Sequence, residues 1–302
     1  MSRSDRANDH DDRLESSLLL SSAPSGREME ADLLSRSGRA SDSGDHQDEP
    51  LDPEIHNRRL ERQRTAPLHE SESKALTDIG MFRALAFEDL ARHRYGGDVT
   101  RTKQELGTLS RKGLLRWRIS YPEHAVYVTL TRPGHQRIAA YQEQGNSQQR
   151  LYYGFVNTRE ARHDAALYRL YQQEIERIER MGGKVQRVVL DFELRQSINR
   201  RLAKLASLPK AEHAQHRLDI AQEHGLKVVN GKIPLPDLRL EYQGPDQELS
   251  KVDLELVTTH YHPDMVATKA EAGFVMYAFA EDTARLRPAM QDPEIMQDIL
   301  SL

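Results

Sequence analysis

The stretch KVDLELV at 251–257 brings together residue types that can do chemistry. Side chains of a β-strand alternate between the two faces of a sheet. Read as a strand, the stretch turns its apolar side chains to one face and its charged ones to the other, the latter being Lys251, Asp253 and Glu255. Mg²⁺ is commonly held by one or two carboxylates together with phosphate oxygens. The stretch is therefore a candidate metal site, although the same alternation is typical of the solvent face of any half-exposed sheet.

A second predicted strand, IPLPDLRLEY at 233–242, adds another carboxylate. The turn residues QGPDQ separate it from the first stretch, so the two are expected to pair as a hairpin. In that arrangement Asp237 meets Asp253 and Glu255 on one face. Carboxylates that converge repel one another unless a cation or a basic group lies between them. A bound metal and a wet, merely polar sheet face both remain open at this point.

Glu174 is a further candidate acid. It lies in HDAALYRLYQQEIERIERM at 163–181, a predicted helix whose apolar stripe places Glu174 on the buried side. A buried carboxylate needs a partner. Either it belongs to the acidic site, or it pairs with a nearby arginine such as Arg177. The next segment, VQRVVLDFEL at 185–194, is predicted to be a strand with Asp191 and Glu193 on one face, and His163 and Asp164 are assigned to the start of the helix.

The order of these elements is helix, strand, strand, strand, and then a helix at HPDMVATKAEAG and a strand at FVMYAFA. This α-β-β-β-α-β order, with acids at these places, resembles the PD-(D/E)XK nuclease superfamily. The resemblance implies an α/β domain with a mixed central sheet. Pro236-Asp237 matches the PD pair, Glu255 the second acid, and Glu174 the acid on the first helix. Asp237 and Glu255 are then the implied Mg²⁺ ligands.

The lysine of this motif is missing, because the matching position is Val257. In the family, that lysine polarises the attacking water while the acids hold a divalent cation against the phosphate. Three alternatives stay open. Lys269 on the following helix substitutes for the lysine, or Asp253-x-Glu255 is the motif with an acid at the lysine position, or the fold persists without cleavage. Enzyme activity, as a metal-dependent DNA endonuclease, is thus left undecided.

The middle third of the chain is basic. Residues 74–150 hold 13 Lys and Arg against 7 Asp and Glu, whereas the whole chain has a net charge of -4. Basic segments attract polyanions. Two short helices are predicted at 75–95, and Gly96 and Gly97 then break the chain. Asp98 is expected to cap a third helix at 99–115, followed by a hairpin and a last helix at 134–141.

Three helices, a hairpin and a closing helix resemble the winged helix-turn-helix domains of bacterial regulators and of plasmid replication-relaxation proteins. By that resemblance residues 99–112 form the recognition helix in the major groove of double-stranded DNA. The implied DNA contacts lie on this helix and on the hairpin, at Arg101, Gln104, Thr108, Arg111, Lys112, Arg116 and Arg118. Some winged helices instead bind protein or form a homodimer, and this alternative is kept.

The fold class expected is therefore α+β, in three parts. Residues 1–73 are rich in Ser, Asp and Arg without apolar periodicity, and are predicted to be a disordered acidic tail. Residues 74–145 form the winged-helix domain, and 152–302 the nuclease-like domain. The chain contains no Cys and no apolar run of the roughly 20 residues that a membrane helix needs, so a cytoplasmic location without membrane partners is expected.

Two functions from different classes follow. The first is a DNA-binding protein of a plasmid or mobile element, acting in replication, relaxation or transfer, with metal-dependent DNA cleavage. The second is a non-catalytic winged-helix regulator of replication, transfer or transcription that carries a degenerate nuclease fold. DNA binding is common to both, and Mg²⁺ belongs to the first alone.

Overall fold

A computed structural model describes residues 67–121, 124–145, 147–154, 157–205, 209, 212–258, 261–280, 282–283 and 299–302. Over these residues the chain is a mixed α+β protein with eight helices and two β-sheets. They form two compact units, 86–128 and 68–85 together with 129–302. In the same part of the chain, no helix has the length and apolar character that crossing a membrane requires. The predicted tail lies outside the described residues up to residue 66.

The secondary structure elements are numbered here in chain order. The helices are α1 Glu70–Phe82, α2 Phe87–Arg94, α3 Val99–Arg111, α4 Arg132–Gln144, α5 Thr158–Arg180, α6 Asp191–Leu205, α7 His213–Glu223 and α8 Pro263–Ala272. The strands are β1 Ala84–Ala86, β2 Leu115–Ser120, β3 Ala125–Leu130, β4 Lys184–Leu190, β5 Leu238–Gln243, β6 Leu249–Leu256, β7 Val275–Ala278 and β8 Ile299–Ser301. A three-stranded sheet has the order β1-β3-β2, and a five-stranded sheet the order β4-β5-β6-β7-β8. Helix α1 begins at Glu70, so residues 70–73 of the predicted tail belong to this helix.

The unit formed by 86–128 contains α2 and α3. Gly96 and Gly97 both have positive φ, which lets the chain reverse between the two helices. The Asp98 side chain then accepts a hydrogen bond from the Arg101 backbone N–H at 2.9 Å, so the predicted N-cap of α3 is confirmed. Thr102, Leu106 and Leu109 are buried at helical spacing, which leaves the opposite face of α3 to polar side chains.

The five-stranded sheet dominates the second unit. Strands β4, β5 and β6 run antiparallel, whereas β6, β7 and β8 are parallel. In the register Leu190 pairs with Leu238, and Leu238 pairs with Leu254. The carboxyl ends of β4 and β6 therefore meet the amino end of β5 at one end of the sheet. Residues that flank these three strand ends are brought together although they are far apart in sequence.

One predicted strand boundary is wrong. The alternating pattern of 185–194 was extended as a strand through Asp191 and Glu193, but the strand ends at Leu190 and helix α6 begins at Asp191. Acidic residues in a first turn interact favourably with the helix dipole. Leu194 and Ile198, four residues apart, are buried as an amphipathic helix requires. Residues 190–193 are too few to distinguish the period of a strand from that of a helix. The buried Leu194 and Ile198 further along the segment follow the helical period.

Both faces of the sheet are covered near the end of β6. Leu254 and Leu256 are buried on one face, and Val257 packs with Val266 of α8 and Met276 of β7 in a cluster on the other. A second cluster joins α6, α7 and α8 through residues such as Ile198, Ile220 and Ala272. A charged residue on this part of β6 is consequently enclosed rather than wet.

Candidate functional site

The candidate site lies where the ends of β4, β5 and β6 meet. Asp237 directly precedes β5, and Glu255 is the second-last residue of β6. The Asp191 backbone N–H donates a hydrogen bond to the Asp237 carbonyl oxygen at 3.1 Å, which joins the start of α6 to the same place. Antiparallel pairing thus places acids from three segments at one end of the sheet, as the hairpin argument predicted for Asp237 and Glu255.

Glu255 is fully buried yet well supplied with donors. Its Oε1 lies 2.6 Å from the Lys269 Nζ and accepts a hydrogen bond from the Tyr261 hydroxyl at 2.7 Å. Its Oε2 accepts the Asp237 backbone N–H at 3.2 Å. Burial and the nearby charge of Asp237 raise the pKa of Glu255 to about 7, and Lys269 opposes this rise without cancelling it. The Glu255 carboxyl therefore titrates near neutral pH.

Lys269 reaches this carboxyl from α8. Its Nζ also donates to the Leu235 carbonyl oxygen at 2.6 Å, so two acceptors fix the ammonium beside Glu255. The side chain is only 16% exposed. The sequence placed Lys269 among the alternatives for the missing lysine, and the structure brings its amine to the acid that matches the motif.

Asp237 is held by the strand beside it. Its Oδ2 accepts the Leu256 backbone N–H at 2.9 Å, while its Oδ1 faces the His163 Nε2 at 3.7 Å. The second distance is that of an ion pair rather than a hydrogen bond. The sheet backbone thus orients one carboxylate oxygen of Asp237, and the other oxygen faces the imidazole of His163 on α5.

His163 and its neighbour Asp164 lie beside Asp237, and the sequence did not predict them as part of the site. The imidazole is the cationic member of this pair. They lie in the second turn of α5, whose N-cap is Asn157. Asp164 is 2% exposed and receives two hydrogen bonds from Arg83, at 2.9 and 2.8 Å. Burial disfavours the charged imidazole, but the interactions with Asp164 and Asp237 outweigh it and raise the pKa of His163 to about 10. His163 is thus a fixed positive charge beside Asp237.

Asp191 is a further acid near Asp237. Burial, and to a smaller extent the charge of Asp237, raise the pKa of the Asp191 carboxyl, which pairs with Arg195 at 2.8 Å. The sequence pattern did not indicate Asp191 as a site residue, because the alternation of residues 185–194 places Asp191 inside a predicted strand. Its position at the start of α6, straight after a strand, was the available signal.

Asp253 is engaged elsewhere. It lies opposite Arg239 in the β5–β6 register and pairs with that guanidinium through two hydrogen bonds, at 2.6 and 2.8 Å. The guanidinium also donates to the His224 carbonyl oxygen at 2.6 Å. None of these partners is Asp237 or Glu255, the two acids that the hairpin argument expected Asp253 to meet.

Glu174 is also engaged elsewhere. It is fully buried, is bound by the Arg177 guanidinium, and accepts a hydrogen bond from the Tyr277 hydroxyl at 2.8 Å. Tyr277 pairs with Leu256 in the sheet. Since Leu256 and Glu255 point to opposite faces, Glu174 and Glu255 lie on opposite faces too. Glu174 is therefore paired with an arginine, which was one of the two alternatives. It does not join Asp237 and Glu255 as an acid of the site.

The carboxylates at this end of the sheet could bind a hard cation such as Mg²⁺ only together with ligands from outside the protein. In the described part of the chain, no group of three or more His, Asp or Glu side chains is arranged to hold a metal. Asp237, just before β5, and Glu255, on β6, are the two carboxylates that would be left to bind a cation here. Mg²⁺ in such sites commonly takes its other ligands from water and substrate phosphate. Two carboxylates are enough for that open type of site and too few for a closed cage, and the Glu255 oxygens already accept from Lys269, Tyr261 and the Asp237 backbone.

The predicted DNA contacts lie on α3 and β2 of the unit 86–128, which pack together. Gln104, Arg111, Arg116 and Arg118 are exposed. Arg101 is exposed as well, but pairs with Glu105 at 2.9 Å. The Thr108 hydroxyl accepts a hydrogen bond from Arg111 at 3.0 Å, and Lys112 is the C-cap of α3. Four of these side chains share one side of α3, at Arg101, Gln104, Thr108 and Arg111. We call this polar surface, which carries two arginines, the α3 face.

No protein-family model, no curated protein and no solved structure matches this chain significantly.

Proposed function

We propose that this chain is a DNA-binding protein of a plasmid or another mobile element, present in the cytoplasm, that hydrolyses phosphodiester bonds with Mg²⁺. The observation that carries the proposal is the cluster of Lys269, Glu255 and Asp237. The Lys269 Nζ lies 2.6 Å from Glu255, whose other oxygen accepts the Asp237 backbone N–H at 3.2 Å. Acid, acid and amine are the groups that the PD-(D/E)XK resemblance requires.

The order of the elements supports the same resemblance. Helix α5, strands β4, β5 and β6, helix α8 and strand β7 follow one another as α-β-β-β-α-β, with α6 and α7 inserted after β4. The acids occur at the ends of the central strands. The proposed winged helix is supported by α2, α3 and the β2–β3 pair, and its ligand is double-stranded DNA.

The residues then have distinct tasks. Asp237 and Glu255 would hold the cation, which when bound would supply the positive charge that polarises a scissile phosphate and its attacking water. Lys269 holds a water or a phosphate oxygen beside Glu255 by donating from its ammonium. His163 keeps a positive charge beside Asp237, which limits the repulsion between neighbouring carboxylates. Asp164 and Arg83 position that imidazole.

The test is nicking of supercoiled plasmid DNA by the full-length protein in Mg²⁺ or Mn²⁺. We expect Lys269→Met to lower the nicking rate about a hundredfold or more, because removing one preorganised donor of this kind costs about 10²–10³-fold. Lys227→Met is the matched control, since Lys227 is an exposed lysine whose Nζ contacts the Glu271 carbonyl oxygen. Equal nicking by the wild-type chain and Lys269→Met would remove this site from the reaction.

A second candidate is a DNA-binding regulator without catalysis. The observation that favours it is the complete burial of Glu255 behind Tyr261, Lys269 and the Asp237 backbone. In that case the cluster stabilises the end of the sheet. Duplex binding without any metal-dependent nicking, in a protein whose Lys269→Met variant is less stable, would select this candidate.

A further inference from the structure

Gly107 lies in the middle of α3, where glycine needs a reason. A glycine inside a helix destabilises it relative to alanine, because its backbone loses more conformational freedom on folding. Two reasons commonly explain such a glycine: a positive φ and a neighbour too close for a side chain. Gly107 is not among the glycines with positive φ. The first reason therefore does not apply.

The second reason also fails at Gly107. A Cβ built at this position would meet nothing within 4 Å among the described residues. Gly80 in helix α1 shows the contrast, since a Cβ there would lie 2.9 Å from the Leu130 Cδ1 and 3.1 Å from the Leu151 Cδ2. Internal packing excludes a side chain at Gly80 and leaves open space at Gly107.

The open space at Gly107 lies on the α3 face. Gly107 follows Gln104 by three residues, precedes Arg111 by four and adjoins Thr108, so it shares their side of the helix. The Arg111 guanidinium and the Thr108 hydroxyl are hydrogen-bonded to each other at 3.0 Å beside it. The Thr108 hydroxyl itself donates to the Gln104 carbonyl oxygen at 2.8 Å. The side chains beside Gly107 that can donate to an anion are therefore those of Gln104 and Arg111.

The charge of this helix selects the occupant. Helix α3 carries Arg101, Lys103 and Arg111, and its one acid, Glu105, is paired with Arg101. Arg116 is exposed on β2, the strand that packs against α3, and is a further positive charge of the same unit. Such a surface is complementary to the closely spaced phosphates of duplex DNA.

We infer that duplex DNA approaches the α3 backbone closely at Gly107. Because glycine has no side chain, the wall of the groove can come nearer to the backbone here than it could with any other residue type at this position. The inference rests on the proposed DNA binding and names the position that sets the docking distance. Gly107 contributes no hydrogen bond of its own. Its task is steric, and it sets how far the neighbouring Gln104 and Arg111 reach toward the bases.

The test uses the full chain, Gly107→Ala and Gly107→Leu, with a fluorescein-labelled duplex of random sequence as the probe. We expect both variants to unfold at a higher temperature than the wild-type chain, because alanine and leucine favour helix. We expect duplex affinity to fall about tenfold for Gly107→Ala, a step of one unit in log Kd, and further for Gly107→Leu. Gln222→Ala, at an exposed and uncharged residue of α7 in the other compact unit, is the control and should bind like the wild-type chain.

The outcomes separate this inference from the proposed function. If the wild-type chain binds the duplex and both Gly107 variants bind equally well, the inference is wrong while DNA binding stands. If the wild-type chain shows no binding to the duplex at low salt, the proposed function fails, and the inference falls with it. Raised thermal stability together with weakened binding supports it, since a purely structural glycine would not produce both.

Discussion

At Glu255, burial and the charge of Asp237 act on the same proton. The folded protein holds this proton more tightly than the unfolded chain does, because the pKa rises from 4.5 to about 7. Stability linked to this group is fully present below about pH 4.5 and is lost as pH rises toward 7. The loss is on the order of 3 kcal/mol, given about 1.4 kcal/mol per pKa unit.

Glu255→Gln tests this linkage. The amide cannot ionise, so the free energy of unfolding of the variant should change much less than that of the wild-type chain between pH 4.5 and 7. Urea unfolding at a series of pH values measures it. Glu248→Gln, at an exposed glutamate of the hairpin turn, should keep the wild-type profile. An unchanged profile in Glu255→Gln would show that another group causes the pH dependence.

At the level of the strand pair, Arg239 and Asp253 connect β5 and β6 across the register. Both side chains are nearly buried, at 5% and 11% exposure. Arg239→Met leaves the Asp253 charge buried without its cation, so we expect a loss of about 3 kcal/mol in the free energy of unfolding. Arg239→Met combined with Asp253→Leu should recover most of that loss. Urea unfolding of the wild-type chain, the single variant and the double variant measures both. A double variant as unstable as the single one would contradict this account.

The elements also show how far the sequence could predict the site. Strand alternation and the hairpin turn were enough to bring Asp237 and Glu255 together, because a register of period two leaves few alternatives. The pattern could not reveal that Asp253 would pair with Arg239, since both were charged residues of one predicted face. His163 and Asp191 were missed because their roles depend on where α5 and α6 lie against the strand ends, and helix periodicity carries no such information.

For the whole molecule, the distribution of charge gives the strongest prediction. If the basic segment contacts DNA phosphates, the affinity for duplex DNA depends on counterion release. Four phosphate contacts would lower the affinity about a hundredfold between ~50 and ~200 mM salt. Fluorescence anisotropy with a labelled duplex measures this slope. Binding that does not change with salt would instead point to the alternative in which this segment binds protein.

The two compact units do not follow the chain in simple succession. Residues 68–85 belong with 129–302, and within that unit Phe82 lies 5.4 Å from the Tyr168 ring, Tyr168 donates to Asp78, and Arg83 binds Asp164. A fragment cut at residue 152 would lose the helix that covers one side of α5 and the arginine that neutralises Asp164. The smaller unit is an excursion that leaves the larger fold and returns to it, so excising that loop, and not cutting the chain once, is the way to separate the two.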